Sequence, residues 1–144
     1  MKGKYFHSVD PKGRLIIPSK FRDSLGSEFV MTLGLENCIC LYSQEEWDRF
    51  TEQLNQINNS KADNRMLKRY FQSNAVDCSI DSQGRTVIPA DMRADIGIEK
   101  DVVIVGNGEK AEVWSKDAWA ETKMDSGETR EKIRAMLESS DLIF

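Results

Sequence analysis

The sequence has one histidine, three cysteines and no hydrophobic run long enough for a membrane helix, which needs about 20 mostly apolar residues. The basic N-terminus lacks the apolar region of a signal peptide, so we expect a cytoplasmic protein. A single histidine leaves little for Ser-His-Asp or Cys-His catalysis, and no phosphate-binding loop occurs. These absences predict that the protein is not an enzyme and has no cofactor, no small-molecule substrate and no membrane partner.

The three cysteines are an odd number in a chain expected to be cytoplasmic, which argues against a disulfide framework. Cys38 and Cys40 stand two residues apart in a predicted strand and therefore point to the same face. A metal site would need more nitrogen or sulfur ligands than one histidine and the unclustered Cys78 supply. We therefore interpret the cysteines as small buried hydrophobic residues and predict no metal site.

Acidic residues outnumber basic ones, but the two signs are unevenly distributed. The net charge of −4 by itself argues against a nucleic-acid partner. Between residues 2 and 22, however, six cations accompany a single anion, Asp10. The cations are Lys2, Lys4, Lys12, Arg14, Lys20 and Arg22. The N-terminal stretch is therefore predicted to form a basic patch on an acidic body.

An internal repeat organises most of the chain. VDPKGRLIIPSKFRDSLG (residues 9–26) returns 71 positions later as IDSQGRTVIPADMRADIG (residues 80–97). One inserted residue then shifts the offset to 72, and the correspondence continues as far as Trp47 and Trp119. A match of this length and regular spacing indicates a duplicated unit.

Each copy of the repeat predicts the same succession of short elements. Asp followed three residues later by Gly is typical of a type I turn between two strands. The apolar runs at residues 14–17 and 85–88 predict strands that are largely buried in a core. Pro18 and Pro89 end these strands and begin a short helix, and a second pair of strands follows. Because so small a unit cannot close a core alone, the two copies are expected to complete each other as an intertwined small barrel.

Helices are predicted outside the repeated signature. Ser43-Gln-Glu-Glu46 is a capping box that begins an amphipathic helix, and KADNRMLKRYFQ (residues 61–72) predicts another between the copies. The charged tail from about residue 124 is predicted to be partly helical through Ile133 and Leu137.

The motifs DPKGRLIIPSKFR and DSQGRTVIPADMR resemble the signature of the SpoVT-AbrB fold, a swapped-hairpin DNA-binding module. The tandem arrangement over residues 5–119, with a tryptophan closing each copy, is similar to the MraZ family. The resemblance implies an α+β, β-rich fold: a double-split (swapped-hairpin) β-barrel from two tandem βαβ-type repeats with flanking helices. It divides the chain into repeat 1 (residues 5–47), a helical spacer (48–75), repeat 2 (76–119) and a charged C-terminal tail (120–144).

The same resemblance implies a function. It implies a transcriptional regulator that binds double-stranded DNA at direct repeats upstream of the division and cell-wall gene cluster, including its own gene. The expected partners are therefore promoter DNA and further copies of the chain in a ring-shaped homo-oligomer. The expected location is the cytoplasm, in association with the nucleoid.

The first turn is the predicted main DNA contact. Arg14 has two open interpretations: it pairs with the turn aspartate along the barrel surface, or its planar fork reaches guanine or a phosphate. Lys12 at the tip would add a phosphate contact, and Gly13 would allow close approach of the backbone. The more acidic second turn is predicted chiefly to complete the barrel and the subunit interface, with Gln83 and Arg85 as auxiliary contacts. The full set of predicted DNA-binding residues is Lys12, Gly13, Arg14, Lys20, Arg22, Gln83 and Arg85.

Two alternatives remain open from the sequence. Arg22 and Arg93, on the short helices, are equally suited to pack against the turn aspartate of a neighbouring segment or to contact DNA. The whole chain has a rival function, since SpoVT-AbrB relatives include antitoxins that cover a toxin with an extended tail, and the tail here is charged and partly apolar (ESSDLIF). RNA binding is disfavoured because the motif region lacks an aromatic stacking platform.

Overall fold

A computed structural model covers residues 1–144 and contains eight strands and six helices. The strands are β1 (Lys4–Ser8), β2 (Arg14–Ile16), β3 (Glu28–Leu33), β4 (Ile39–Ser43), β5 (Val76–Ser79), β6 (Arg85–Val87), β7 (Asp101–Asn107) and β8 (Lys110–Ser115). The helices are α1 (Ser19–Leu25), α2 (Gln44–Asn55), α3 (Ala62–Ser73), α4 (Ala90–Asp95), α5 (Lys116–Glu121) and α6 (Gly127–Glu138). Each copy of the repeat contributes four strands, and the predicted helix between the copies is α3.

Six strands form one antiparallel sheet in the order β1-β7-β8-β4-β3-β5, and β2 and β6 form a separate two-stranded ribbon. The pairing exchanges strands between the copies. Strand β1 of the first copy pairs with β7 of the second, and β5 of the second pairs with β3 of the first. The ribbon also takes one strand from each copy. The predicted α+β class is confirmed, and each copy extends the sheet of the other with its first strand.

The six-stranded sheet is open, with β1 and β5 at its edges. The ribbon follows directly from these edge strands through the two Asp-Gly turns, and it contacts both of them. Its inner side packs on the core, where Leu15 and Thr86 are fully buried. The open sheet therefore does not confirm the predicted double-split (swapped-hairpin) β-barrel.

The main core lies on one face of the sheet and contains seventeen buried hydrophobic side chains. Alternate residues of the central strands point into it, such as Ile39 and Leu41 of β4 and Val102 and Ile104 of β7. Helix α1 adds Phe21, which is also fully buried. The strands are thus amphipathic in the usual period of two, and the ribbon and α1 close over their apolar side.

The opposite face of the sheet holds a second, smaller cluster. It includes Cys38 and Cys40 together with Trp114 and Trp119. Both cysteines are buried, as the sequence predicts, whereas Cys78 is half-buried, and all three are free thiols. This second layer is completed by α5.

The prediction that both ribbon strands are largely buried is wrong at every second position. Leu15 and Thr86 are buried, but Ile16 is 48% exposed and Val87 is 56% exposed. Only one side of the ribbon packs on the core, and the strand period of two directs the alternate side chains to solvent.

Local signals explain where the helices begin. Pro18 and Pro89 stand immediately before α1 and α4, where a missing N–H costs little. The backbone N–H of Glu46 donates to Oγ of Ser43 at 3.1 Å, which caps α2. Ser115 caps α5 in the same way. The two capping serines occupy equivalent positions of the repeat.

Helices α3 and α6 have no buried residue. Helix α3 contacts the sheet side of the molecule through the hydroxyl of Tyr70, which donates to the carbonyl oxygen of Gly34 at 3.1 Å. It also contacts α2 through Phe71, whose ring packs edge-on against Phe50. Helix α6 includes Ile133 and Leu137, in agreement with the predicted tail helix. None of the six helices combines the length and apolar character needed to cross a membrane.

Gly13 and Gly84 join the two copies at the ends of the ribbon. Both have a positive φ, 81° and 79°, which glycine adopts without strain. The backbone N–H of Ile88 donates to the carbonyl of Gly13 at 2.8 Å, and that of Ile17 donates to the carbonyl of Gly84 at 2.9 Å. A Cβ at Gly13 would lie 3.1 Å from the carbonyl oxygen of Ile88. Each turn glycine therefore packs tightly against the other copy.

We expect Gly13→Ala to lower the free energy of unfolding more than Gly97→Ala does. Both glycines have a positive φ, 81° and 71°, a conformation that costs alanine about 1–2 kcal/mol. A Cβ at Gly97 meets nothing within 4 Å, whereas at Gly13 it meets a backbone carbonyl, and such overpacking adds about 1–3 kcal/mol. Chemical denaturation of both variants measures the difference, and equal losses would contradict the close packing between the copies.

Candidate nucleic-acid interface

The carboxylate of Asp10 organises the first turn. Its Oδ1 accepts hydrogen bonds from the backbone N–H groups of Lys12 at 2.9 Å and Arg14 at 2.8 Å. Its Oδ2 accepts a bond from Nε of Arg14 at 2.6 Å. The N–H of Gly13 donates to the Asp10 carbonyl at 2.9 Å, which closes the predicted turn. One carboxylate thus holds both the turn backbone and the direction of the arginine side chain.

The second turn repeats this construction. Oδ1 of Asp81 accepts bonds from the backbone N–H groups of Gln83 and Arg85, both at 2.9 Å. Its Oδ2 accepts a bond from Nε of Arg85 at 2.9 Å. The N–H of Gly84 donates to the Asp81 carbonyl at 3.0 Å. The repeated Asp-x-x-Gly-Arg pattern is therefore explained by one hydrogen-bonding scheme used twice.

The donors around each turn aspartate lower its pKa. At Asp10 the largest cause is the backbone N–H of Arg14, and the side chain of Arg14 and the backbone N–H of Lys12 lower the pKa further, against partial desolvation. At Asp81 the backbone N–H of Arg85 is again the largest cause. Both carboxylates are thus held in the charged form that the turns require.

The ribbon places both arginines on one surface. In its antiparallel register Arg14 stands opposite Val87, and Ile16 stands opposite Arg85. Directly opposite residues share a face of a sheet, and so do residues two apart on one strand, so these four side chains all face away from the core. We call this outward side, formed by Arg14, Ile16, Arg85 and Val87, the ribbon face. The arginines lie on one diagonal of the ribbon face and the aliphatic residues on the other.

The hydrogen bond to the turn aspartate uses only one of the N–H donors of Arg14 and of Arg85. A guanidinium group has five N–H donors, and Nε supplies one of them. The terminal nitrogens of Arg14 and Arg85 make no hydrogen bond within the chain, and the two side chains are 31% and 24% exposed. The two interpretations of Arg14 are therefore compatible, because the aspartate orients the side chain and leaves the other donors free.

Arg22 and Arg93 contact the turns from the neighbouring copy. The guanidinium of Arg22 lies against Gly84, and that of Arg93 lies against Gly13. Nε of Arg93 donates to the Ile88 carbonyl at 3.0 Å, whereas Nε of Arg22 is buried without a hydrogen-bond partner. The expected packing against a neighbouring turn is present, but its partner is the turn glycine and not the aspartate, because the aspartate is already occupied by its own arginine.

The two ends of the ribbon differ in charge. Lys12 and Gln83 occupy equivalent tip positions, and both are exposed. Lys20 is also exposed, on α1. The equivalent short helix of the second copy, α4, instead has the exposed acids Asp91 and Asp95. A polyanion would therefore meet a more favourable potential at the first turn than at the second.

Ile16 and Val87 are members of the ribbon face that were not predicted as contact residues. Ile16 and Val87 are exposed because the other side of the ribbon packs on the core. Which side packs there depends on how β2 pairs with β6. Neither Arg-Leu-Ile-Ile nor Arg-Thr-Val-Ile alternates apolar with polar residues, so the one available signal was the strand period of two, which puts Ile16 and Val87 on the same face as the arginines.

Comparison with known proteins gives consistent matches. A family model described as "MraZ protein, putative antitoxin-like" matches residues 1–70 and again residues 71–136, in agreement with the duplication. The chain is 48% identical to the "Transcriptional regulator MraZ" of Lachnoclostridium phytofermentans over 86% of this chain and 87% of that protein. It is 42% identical to the protein of the same name from Thermoanaerobacter sp. (strain X514), over 99% of both chains. It is 41% identical to that of Heliobacterium modesticaldum, over 97% of this chain and 98% of the relative.

We expect Asp10→Asn to remove a stabilising contribution that depends on pH. Because folding lowers the pKa of Asp10, its carboxylate favours the folded state above the ordinary value of 3.8, and this contribution is lost as the pH falls through the lower, folded value. The stability difference between wild type and Asp10→Asn should therefore be constant above about pH 5 and narrow in more acidic solution.

Urea denaturation at several pH values measures this difference. Asp23→Asn, at an exposed position on α1 outside the turn, is the matched control and should change the free energy of unfolding by less than about 0.5 kcal/mol. A difference for Asp10→Asn that widens on acidification would contradict the role of the carboxylate in the turn.

Proposed function

This chain belongs to the MraZ family, and on that premise we propose that it is a sequence-specific, DNA-binding transcriptional regulator. It binds tandem direct repeats upstream of the division and cell-wall gene cluster, including its own gene, and acts on the nucleoid. The observation that supports this proposal most directly is the ribbon face, where two oriented arginines and two exposed aliphatic side chains lie together.

A two-stranded ribbon fits the major groove of B-DNA, which is about 12 Å wide. There the free edges of Arg14 and Arg85 can donate to O6 and N7 of guanine, while Ile16 and Val87 can contact thymine methyl groups. The arginines need little ordering on binding because the turn aspartates already hold them. The ribbon face therefore carries both polar and apolar means of distinguishing base pairs.

The residues around the ribbon face supply the remaining contacts. Lys12 and Lys20 reach phosphates, and the backbone at Gly13 approaches the DNA closely. Gln83 adds an auxiliary contact at the second turn, and Arg22 acts at that turn by packing against its glycine. Because of the difference in charge between the ends of the ribbon, the first turn makes the main contact and the second turn the weaker one.

The exchange of strands between the copies supports the double-split barrel that the family resemblance implies. In this arrangement repeat 1 (residues 5–47) and repeat 2 (76–119) form one barrel, the spacer (48–75) connects them and the tail (120–144) is an appendage. A single arginine–guanine pair discriminates between bases by about 1–3 kcal/mol, which is too little to select one site in a genome. We therefore propose that several chains act together in a ring-shaped homo-oligomer.

The symmetry of a ring dictates the form of its binding site. One rotation relates each subunit to the next, so the DNA elements that they contact are direct repeats. Successive ribbon faces meet the same side of the duplex only when their elements are about 10 bp apart. Linked contacts then gain affinity through their effective concentration.

An antitoxin-like interaction module is the second candidate function. It is favoured by α6, which buries none of its residues, and by Leu142, Ile143 and Phe144, which are all exposed. Recovery of an equimolar unrelated protein with the tagged chain, lost on deletion of residues 127–144, would favour this function over DNA binding.

We expect Arg14→Ala to weaken binding to the DNA directly upstream of the chain's own gene by about 10- to 100-fold, the equivalent of losing one bidentate contact. Arg85→Ala should weaken it by a smaller factor. Arg14→Lys keeps the charge but loses the planar fork, so it should retain the salt dependence of binding and lose base discrimination.

Fluorescence anisotropy at several salt concentrations provides these values. Lys132→Ala removes an exposed positive charge from α6 and is the matched control, with an expected change within about twofold since it lies outside the interface. If Arg85→Glu abolished binding while Arg14→Glu left it intact, the assignment of the main contact to the first turn would be wrong.

The spacing of the DNA elements provides a separate test of the ring. Footprinting should show protected elements about 10 bp apart, and insertion of about 5 bp between two of them should sharply reduce affinity, because the second element then faces the opposite side of the duplex. Insertion of a full turn is the control and should restore much of the affinity. Undiminished affinity after the half-turn insertion would refute simultaneous binding by adjacent subunits.

A further inference from the structure

Three side chains on the sheet face opposite the main core form a cluster that the proposed DNA contact does not use. The Sγ atoms of Cys38 and Cys40 and a carboxylate oxygen of Glu112 all lie within 4.8 Å of one another. The two cysteines are only 2% and 3% exposed, and Glu112 is half-buried. We propose that these three residues bind a divalent metal ion of the zinc class.

Both copies of the repeat contribute to this site. Strand β4 pairs with β8 so that Glu112 stands directly opposite Cys40. Cys38 precedes Cys40 by two residues and shares its face of the sheet. The prediction of no metal site considered only histidine and cysteine, and it did not anticipate that strand pairing between the copies would add a carboxylate.

The chemistry of the ligands suits zinc. Zinc accepts thiolate and carboxylate ligands, with bonds of about 2.3 Å to sulfur and about 2.0–2.2 Å to oxygen. Ligand atoms that already lie within 4.8 Å of one another need only small rotations to reach these distances. The three ligands line a pocket that also reaches the exposed Glu36, so water from this pocket can take the fourth position of a tetrahedral ion.

Neighbouring groups orient the ligands. Nε1 of Trp114 donates to one oxygen of Glu112 at 3.1 Å, and Nδ2 of Asn107 donates to the other at 3.3 Å. Such outer contacts commonly fix the geometry of a metal-binding carboxylate. Two thiolates, one carboxylate and a divalent ion together leave one negative charge, and Lys110 lines the same pocket and can offset it.

The loop before β4 also fits the two sulfur atoms closely. A Cβ at Gly34 would lie 3.0 Å from Sγ of Cys38 and 3.1 Å from Sγ of Cys40. Glycine therefore allows this backbone to lie against both thiols at once. The two sulfur atoms are therefore held side by side against the loop, on the wall of the pocket from which water can reach a shared ion.

The reduced full-length protein, titrated with Cd²⁺ as a spectroscopic probe, tests this proposal. We expect the ultraviolet thiolate-to-cadmium absorbance to saturate at one equivalent per chain. Cys40→Ser should abolish it, and Glu112→Gln should weaken the affinity at least about tenfold, the size of effect usual for groups that support a metal site. Cys78→Ser is the matched control, since this cysteine lies elsewhere, on β5, and should leave the titration unchanged.

X-ray absorption of the zinc-loaded wild type provides a measurement that does not depend on the folding of a variant. Two sulfur neighbours at about 2.3 Å, together with oxygen, support the site. Absence of saturable Cd²⁺ absorbance, loss of the absorbance in Cys78→Ser, unchanged affinity in Glu112→Gln, or a zinc environment without sulfur would each overturn the proposal.

Discussion

Two reciprocal backbone hydrogen bonds join the Asp-Gly turn of each copy of the repeat to the other copy. The carbonyl of Gly13 accepts from Ile88, and the carbonyl of Gly84 accepts from Ile17. Because each copy supplies one of its two strands, the β2–β6 ribbon cannot form from one repeat alone. At this contact Arg22 and Arg93 also pack against the turn glycine of the opposite copy. The ribbon face that lies between the two turns is therefore built jointly by both copies.

Each turn aspartate has two structural roles, one toward the turn backbone and one toward an arginine side chain. Each carboxylate satisfies backbone N–H groups that a tight turn would otherwise leave to solvent, and each also directs an arginine along the surface. An arginine that is already ordered loses less conformational entropy when it binds a partner. The negative charge of the aspartate lies close to a surface proposed to meet a polyanion, but the same charge keeps the arginine in place, and four of the five guanidinium donors remain free.

Much of the fold could be predicted from local patterns. The duplication follows from the repeated motif itself. The Asp-Gly turns, the short helix after Pro18, the helix capped by Ser43 and the helix in the tail follow from residues that are close in the sequence. The exposure of Ile16 and Val87 could not be predicted from local patterns, since it depends on which side of the ribbon packs on the core. The contacts of Arg22 with Gly84 and of Glu112 with the cysteines join residues from different copies, and no local pattern encodes the register between them.

The approximate twofold symmetry of the ribbon arises within a single polypeptide. In an assembly of identical one-repeat chains, any substitution would appear at both ends of such a ribbon. Here Lys12 and Gln83, or Ile16 and Val87, can diverge independently, because each is encoded once. The duplication within one chain thus lets the side chains at the two ends of the ribbon differ, while the paired backbone of β2 and β6 that carries them keeps the same register at both ends.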